Sequence, residues 1–280
     1  MSLLPAALVT ASGIVHATWN LWAKRSRRPL LFLWSFQWVA VAVYGPFAAW
    51  SLAGHPLPPA GLLLLLLTIA LHGVYVLLLG RSYALGDLSQ VYPLMRGTSP
   101  LLVPLFGAVL LGERLQPLGW IGALLVVFGV LVVGGGPHPG RIPRRTAYIG
   151  LAVGLAIASY TLVDKLTLHY VPAIALNALS NAGNLVFLTP AALCTKDALG
   201  EWRKSLGYVL LAGVLSPLSY LLFLWALQRA PVAQLAPMRE VSIVFGTLFG
   251  IYVLHEARGR SRVVGSLLIA AGAVALSLGA

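Results

Sequence analysis

The chain has 280 residues, 59% of them hydrophobic and only 9% charged, with a mean hydropathy of +0.88. A soluble globular chain carries about 25% charged residues, so a water-soluble surface is excluded and the chain reads as an integral membrane protein. Nineteen Lys and Arg stand against seven Asp and Glu; in a membrane protein such an excess orients helices, and no basic run is interleaved with aromatics as a nucleic-acid groove requires.

In chain order, the amino terminus is apolar first and basic late, the reverse of a signal peptide, and predicts an uncleaved first helix. Ten apolar runs long enough to cross a bilayer follow, at about 3–23, 29–52, 61–81, 88–111, 116–134, 147–165, 171–194, 207–229, 231–254 and 262–279. Gly, Pro and charged residues punctuate them, and no alternating strand pattern argues for a barrel. Prolines 93, 100 and 104 in the fourth run and Pro237 in the ninth predict kinks there. The lone Cys194 excludes an intrachain disulfide and a cysteine metal cluster, and it is expected to pack as a small hydrophobe. The pattern calls for no cofactor, no metal and no catalytic residue.

Fourteen of the nineteen basic residues fall in the odd-numbered loops, and only Arg114, Lys165 and Arg229 on the opposite side. The positive-inside rule then puts the odd loops in the cytoplasm and both termini outside.

The chain repeats itself. Residues 95–129 align without a gap on 238–272, with twelve of 35 positions identical, among them Met95/Met238, Arg96/Arg239, Gly107/Gly250, Glu113/Glu256, Gly122/Gly265 and Gly129/Gly272. A second stretch, 13–24 on 154–165, pairs Gly13 with Gly154 and Lys24 with Lys165, and sets Tyr160 opposite Trp19. The expected organisation is a first repeat over 1–134, a linker over 135–146 and a second repeat over 147–280. Five helices per half is an odd number, so the halves lie in the membrane in opposite orientation. The fold class is therefore all-α: ten transmembrane helices as two inverted five-helix repeats, the design of secondary transporters whose site lies near mid-membrane between the halves.

The Leu-Gly-Glu-Arg after the fourth run, the Leu-His-Glu-Ala after the ninth, and His16-Ala17-Thr18-Trp19-Asn20 followed by Lys24 resemble the EamA-type branch of the drug/metabolite transporter superfamily. His255 departs from the glycine expected in the second copy. The resemblance covers nearly the whole chain. It implies a ten-helix secondary carrier in a cell membrane, bacterial inner membrane by that analogy, exporting amino acids, related metabolites or drugs, by exchange or with protons.

Charges inside the bilayer are costly and are expected to face a cavity or a partner. Arg96 and Arg239 are repeat mates about nine residues into their helices. They either hold an anionic substrate group bidentately or are structural. Glu240, the one acid read as near a helix centre, lies about 100° from Arg239 on its helix and is better placed to pair with Arg96. It is a proton-coupling or gating candidate, as is His16. Ser12, His16 and Asn20 share a face of the first helix beside Trp19. Asn177, Asn181 and Asn184 share a face of the seventh, as either helix glue or cavity lining. His72 and Tyr75 share a face of the third. The substrate-binding set is Arg96, Arg239, Trp19, His16, Asn20, Tyr92, Tyr160 and Asn181. Glu113 and Glu256 at helix ends read as caps or gates.

The function read from this is alternating-access transport of small polar or amphipathic metabolites such as amino acids, outward. The partners are a small molecule, the lipid bilayer, and protons or a counter-substrate. A flippase for lipid-linked or drug-like amphiphiles is the alternative on the same fold. A membrane enzyme has no His-Glu-x-x-His or Gly-x-Ser-x-Gly to rest on, and no phosphate-cradling loop marks a pump.

Overall fold

The computed structural model describes residues 2–23, 28–84, 88–134, 144–195, 206–252 and 259–279. The described residues form helices and no strand. These are α1 (Leu3–Ala23), α2 (Pro29–Ala53), α3 (Pro59–Ala84), α4 (Leu88–Leu110), α5 (Pro117–Val133), α6 (Arg144–Thr167), α7 (Ala173–Leu193), α8 (Leu206–Leu227), α9 (Val232–Met238), α10 (Val241–Tyr252) and α11 (Arg260–Leu278). Nine of the ten apolar runs form one helix each. The ninth is broken into α9 and α10. Five helices are each long and apolar enough to cross a membrane by themselves.

The break follows Pro237. Proline supplies no backbone N–H, so the rung to Ala233 O is lost one turn before the break, while Arg239 N still bonds to Leu235 O at 3.1 Å and the helix ends just beyond. The chain crosses the gap in tight turns, with Glu240 N donating to Pro237 O at 3.0 Å and Ile243 N to Glu240 O at 2.9 Å. The kink expected in α4 does not become a break. Its helix runs unbroken through Arg96, where Leu94 stands in the place that Pro237 takes in the second copy.

Each helix divides into a lipid face and a packed face at the helical period. On α3, Leu62, Leu63, Leu66 and Leu67 are exposed while Leu65, Thr68, His72 and Val76 are buried. No water-soluble protein presents so continuous an apolar belt.

The packing obeys the repeat. α1 packs on α8 as α6 packs on α3, and α4 packs on α6 as α10 packs on α1; α2 meets α7 and α5 meets α11, each with its own counterpart. The glycines show the same exchange at atomic scale. A Cβ added to Gly13 would meet Val241 Cγ1 at 2.7 Å, and one added to its mate Gly154 would meet Thr98 Cβ at 2.4 Å, Thr98 being the repeat mate of Val241. Between α5 and α11, Gly122 faces the Gly272 carbonyl and Gly129 the Gly265 carbonyl, each at 2.7 Å from a hypothetical Cβ. The halves are thus related by an axis between α5 and α11, an inverted repeat. Cys194 does not pack as a small hydrophobe. It is exposed just past the last turn of α7, where none of the described helices covers it.

Candidate functional site

The broken ninth span delivers two adjacent charges to the bundle interior. Glu240 is buried, and its Oε2 lies 3.1 Å from Arg96 Nε of α4. Arg96 also donates from Nη2 to Ser242 Oγ at 3.0 Å. The two copies of the repeat therefore meet in a cross-half ion pair. Its attraction is strengthened by the low dielectric around it, and each partner would be costly there alone.

Arg239 is arranged differently. It is partly buried, and its guanidinium lies over the rings of Tyr220, at 4.8 Å, and Phe223, at 4.7 Å, both of α8. Such stacking holds an arginine flat and leaves its edge donors unused. Among the described residues no carboxylate comes within ion-pair distance of it. The two arginines, equivalent in sequence, are inequivalent in the fold because Glu240 has Gly97 as its mate and can serve only one of them.

Beneath Tyr220 sits an acid that the sequence reading did not single out. Asp164 is fully buried near the end of α6. Thr68 donates to its Oδ1 and the Tyr220 hydroxyl to its Oδ2, and His72 Nε2 lies 3.1 Å from Oδ2. The sequence carries the signal in two i, i+4 pairs: Thr68 and His72 on α3, and Tyr160 and Asp164 on α6. The His72 ring stacks on Tyr160 with centroids 4.0 Å apart, and Tyr75 and Tyr220 meet Tyr160 edge-on at 5.4 and 6.3 Å.

The remaining candidates distribute as follows. Trp19 is buried against Phe36 of α2 and the edge of His16, and its indole N–H finds no acceptor among the described residues. His16 lies one turn from Gly13, the glycine packed on α10, within electrostatic reach of Arg96 and Arg239. The rest of its stripe is engaged. Ser12 donates to Ser219 O of α8 at 2.7 Å, and the Asn20 amide folds back on His16 O at 2.9 Å. Asn177 donates to Pro217 O and ties α7 to α8, whereas the Asn181 amide folds back on Asn177 O within α7. The side chain of Tyr92, and Glu256, lie outside the described residues.

At one end of the bundle the turn between α8 and α9 is held by charge. Glu113 follows α4 beyond Gly112, whose φ of +66° is the left-handed turn that ends the helix. Its two carboxylate oxygens accept from Val232 N at 2.9 Å and Ala233 N at 2.8 Å, the first amides of α9. Lys165 Nζ donates to the carbonyls of Leu227 and Ala230, at the end of α8. The α8–α9 turn is thus clamped by an anion on its amides and a cation on its carbonyls, as helix dipoles favour.

A model described as the EamA-like transporter family matches residues 3–135 and again 145–278. The chain belongs to the EamA-like transporter family. It is accordingly a multi-pass membrane protein of a transporter family, with a small molecule and the lipid bilayer as its partners. A Lactobacillus johnsonii protein named "Putative sugar uptake protein" is 26% identical over 209 residues, covering 70% of this chain and 72% of that one. A Sinorhizobium sp protein named "Uncharacterized transporter in cobO 3'region" is 31% identical over 88 residues, 29% of this chain and 62% of that one. A crystal structure 20% identical in sequence superposes with a TM-score of 0.77 over 98% of this chain and 96% of its own, a likeness of fold.

Proposed function

We propose that this EamA-like transporter is a secondary carrier, working by alternating access, for small metabolites that bear an anionic group, amino acids and organic acids among them. The observation that carries the reading is Arg239. Its guanidinium is held flat on Tyr220 and Phe223 at the break in the ninth span, with no acid partner among the described residues, while Arg96 is occupied by Glu240. A carboxylate or phosphate supplies the bidentate partner such a fork lacks. Trp19, Tyr75 and Tyr160 pack in one apolar cluster, with His16 edge-on to Trp19, and this aromatic wall would meet the rest of the ligand. The loop charges support termini on the non-cytoplasmic side of a bacterial inner membrane, and the family resemblance supports outward transport.

A second reading, uptake of sugars, is favoured by the name of the Lactobacillus relative together with this wall, since sugar rings stack on aromatic faces. One experiment separates the two. Thermal stabilisation of the purified protein is measured with amino acids, organic acids, phosphorylated sugars, neutral sugars and cationic drugs, on wild type and Arg239→Ala. The anionic reading expects a shift with carboxylates or phosphates that is lost in the variant. A shift with neutral sugars that survives in the variant overturns it in favour of the second.

A further inference from the structure

We propose that Asp164, with His72, Thr68 and Tyr220, is a proton-binding site, and that Tyr220 couples its occupancy to Arg239. The carboxyl is fully buried, yet every group that touches it is a donor or a titratable ring: Thr68 on one oxygen, Tyr220 and His72 on the other. A carboxylate can accept all of these together. A protonated carboxyl has less acceptor capacity, and its own O–H must find an acceptor, so at least one of the three contacts reverses or gives way when a proton is loaded. Tyr220 is the donor whose displacement matters, because its ring is the platform on which Arg239 lies.

The charged and titratable groups around the centre are His72 and Tyr75 of α3, Tyr160 on α6, Tyr220 of α8, Arg239 over Tyr220, and the Arg96–Glu240 pair beyond it. Lys165, next to Asp164 in sequence, is spent on the α8 carbonyls rather than on the acid. His72 is thus the one basic partner within ion-pair distance of Asp164 among the described residues. An open cavity of about 240 Å³ is lined by Lys165, Leu168, His169, Leu227 and Gln228. Leu168 N donates to Asp164 O at 2.9 Å, so the cavity reaches to one helical turn from the acid.

The site is tested without any substrate, by infrared difference spectra of the purified protein recorded across a pH titration. The expected result is a carboxylic-acid band absent from Asp164→Asn, its midpoint moved by about one pH unit, tenfold in proton affinity, in Tyr220→Phe and in His72→Gln. The two ring variants keep the test decisive if Asp164→Asn does not fold. No titrating band that depends on these residues overturns the site, and a band indifferent to Tyr220→Phe overturns the link to Arg239. The link rests on Arg239 being the anion site. The titration contains no anion to be transported, so a negative result here is distinct from a failure of anions to bind there.

Discussion

Thr68 offers the smallest change that measures how firmly Asp164 is held. Thr68→Val keeps the shape and removes the one hydroxyl on Oδ1, leaving half of a buried carboxylate without its donor. A loss of about 1–3 kcal/mol is expected. It is read as a lower unfolding midpoint in detergent, with Thr68→Ser recovering most of it; an unchanged midpoint would mean that another donor takes over. At Arg239 the geometry distinguishes charge from shape. Lysine keeps the charge but neither the flat stacking on Tyr220 and Phe223 nor the two-pronged donation. Arg239→Lys is therefore expected to weaken anion binding about tenfold, the cost of roughly one good hydrogen bond; isothermal titration equal to wild type would show that Arg239 acts only as a point charge. The pairing of Arg96 with Glu240 was legible because the repeat makes residues 96 and 239 two-fold mates and so sets position 240 near Arg96; the 100° helical step does not apply, since Arg239 and Glu240 lie in the break between α9 and α10. Asp164 was legible only as a spacing with Tyr160, and its burial was not. An acid three residues from a helix end reads as an interfacial residue, and what buries it is the register of α6 against α3 and α8, which no local spacing encodes.

At the scale of elements, two contacts carry sharp expectations. Glu113 neutralises the first amides of α9, and an anion that accepts two backbone N–H groups at a helix start contributes about 1–3 kcal/mol. Glu113→Ala is expected to lower the unfolding midpoint by that measure, with Glu113→Gln intermediate, because an amide oxygen still accepts but carries no charge. Gln and Ala variants equal in stability would show that the charge and the acceptor are both dispensable. The α5–α11 contact is less forgiving. Gly129 and Gly265 bring backbone against backbone, and any side chain there must push the helices apart. Gly129→Val is expected to abolish recovery of folded protein on size-exclusion chromatography, and Gly129→Ala to cost about 1–3 kcal/mol; a normal elution profile for the valine variant would contradict the close approach. The small-residue pairs were visible in the sequence at matching repeat positions. The break after Pro237 was visible only as a kink, and the three prolines of α4 produced none of comparable effect, because a proline's freed carbonyl can be satisfied by neighbours that the sequence does not name.

For the whole molecule, the orientation that the loop charges support has a direct test, since the chain contains a single cysteine and it is exposed. Cys194 follows α7, at the end assigned to the cytoplasm. A membrane-impermeant maleimide is expected to label it in inside-out vesicles and not in right-side-out ones; the opposite pattern would invert the topology. The ten-span inverted architecture was legible because hydropathy counts spans and an odd number per repeat forces inversion, neither of which depends on packing detail.

The two acids buried among the spans, Asp164 and Glu240, both belong to the second half, and their counterparts in the first are Ala23 and Gly97. Two identical halves would make the conformations facing either side mirror exchanges of one another, equal in energy and equally populated. These two substitutions lift that degeneracy, since swapping the shapes of the halves does not swap the negative charges. About 1.4 kcal/mol of imbalance tips such an equilibrium tenfold. In a carrier that works by alternating access, a resting preference for one face of the membrane would then come from where the chain departs from its own repeat.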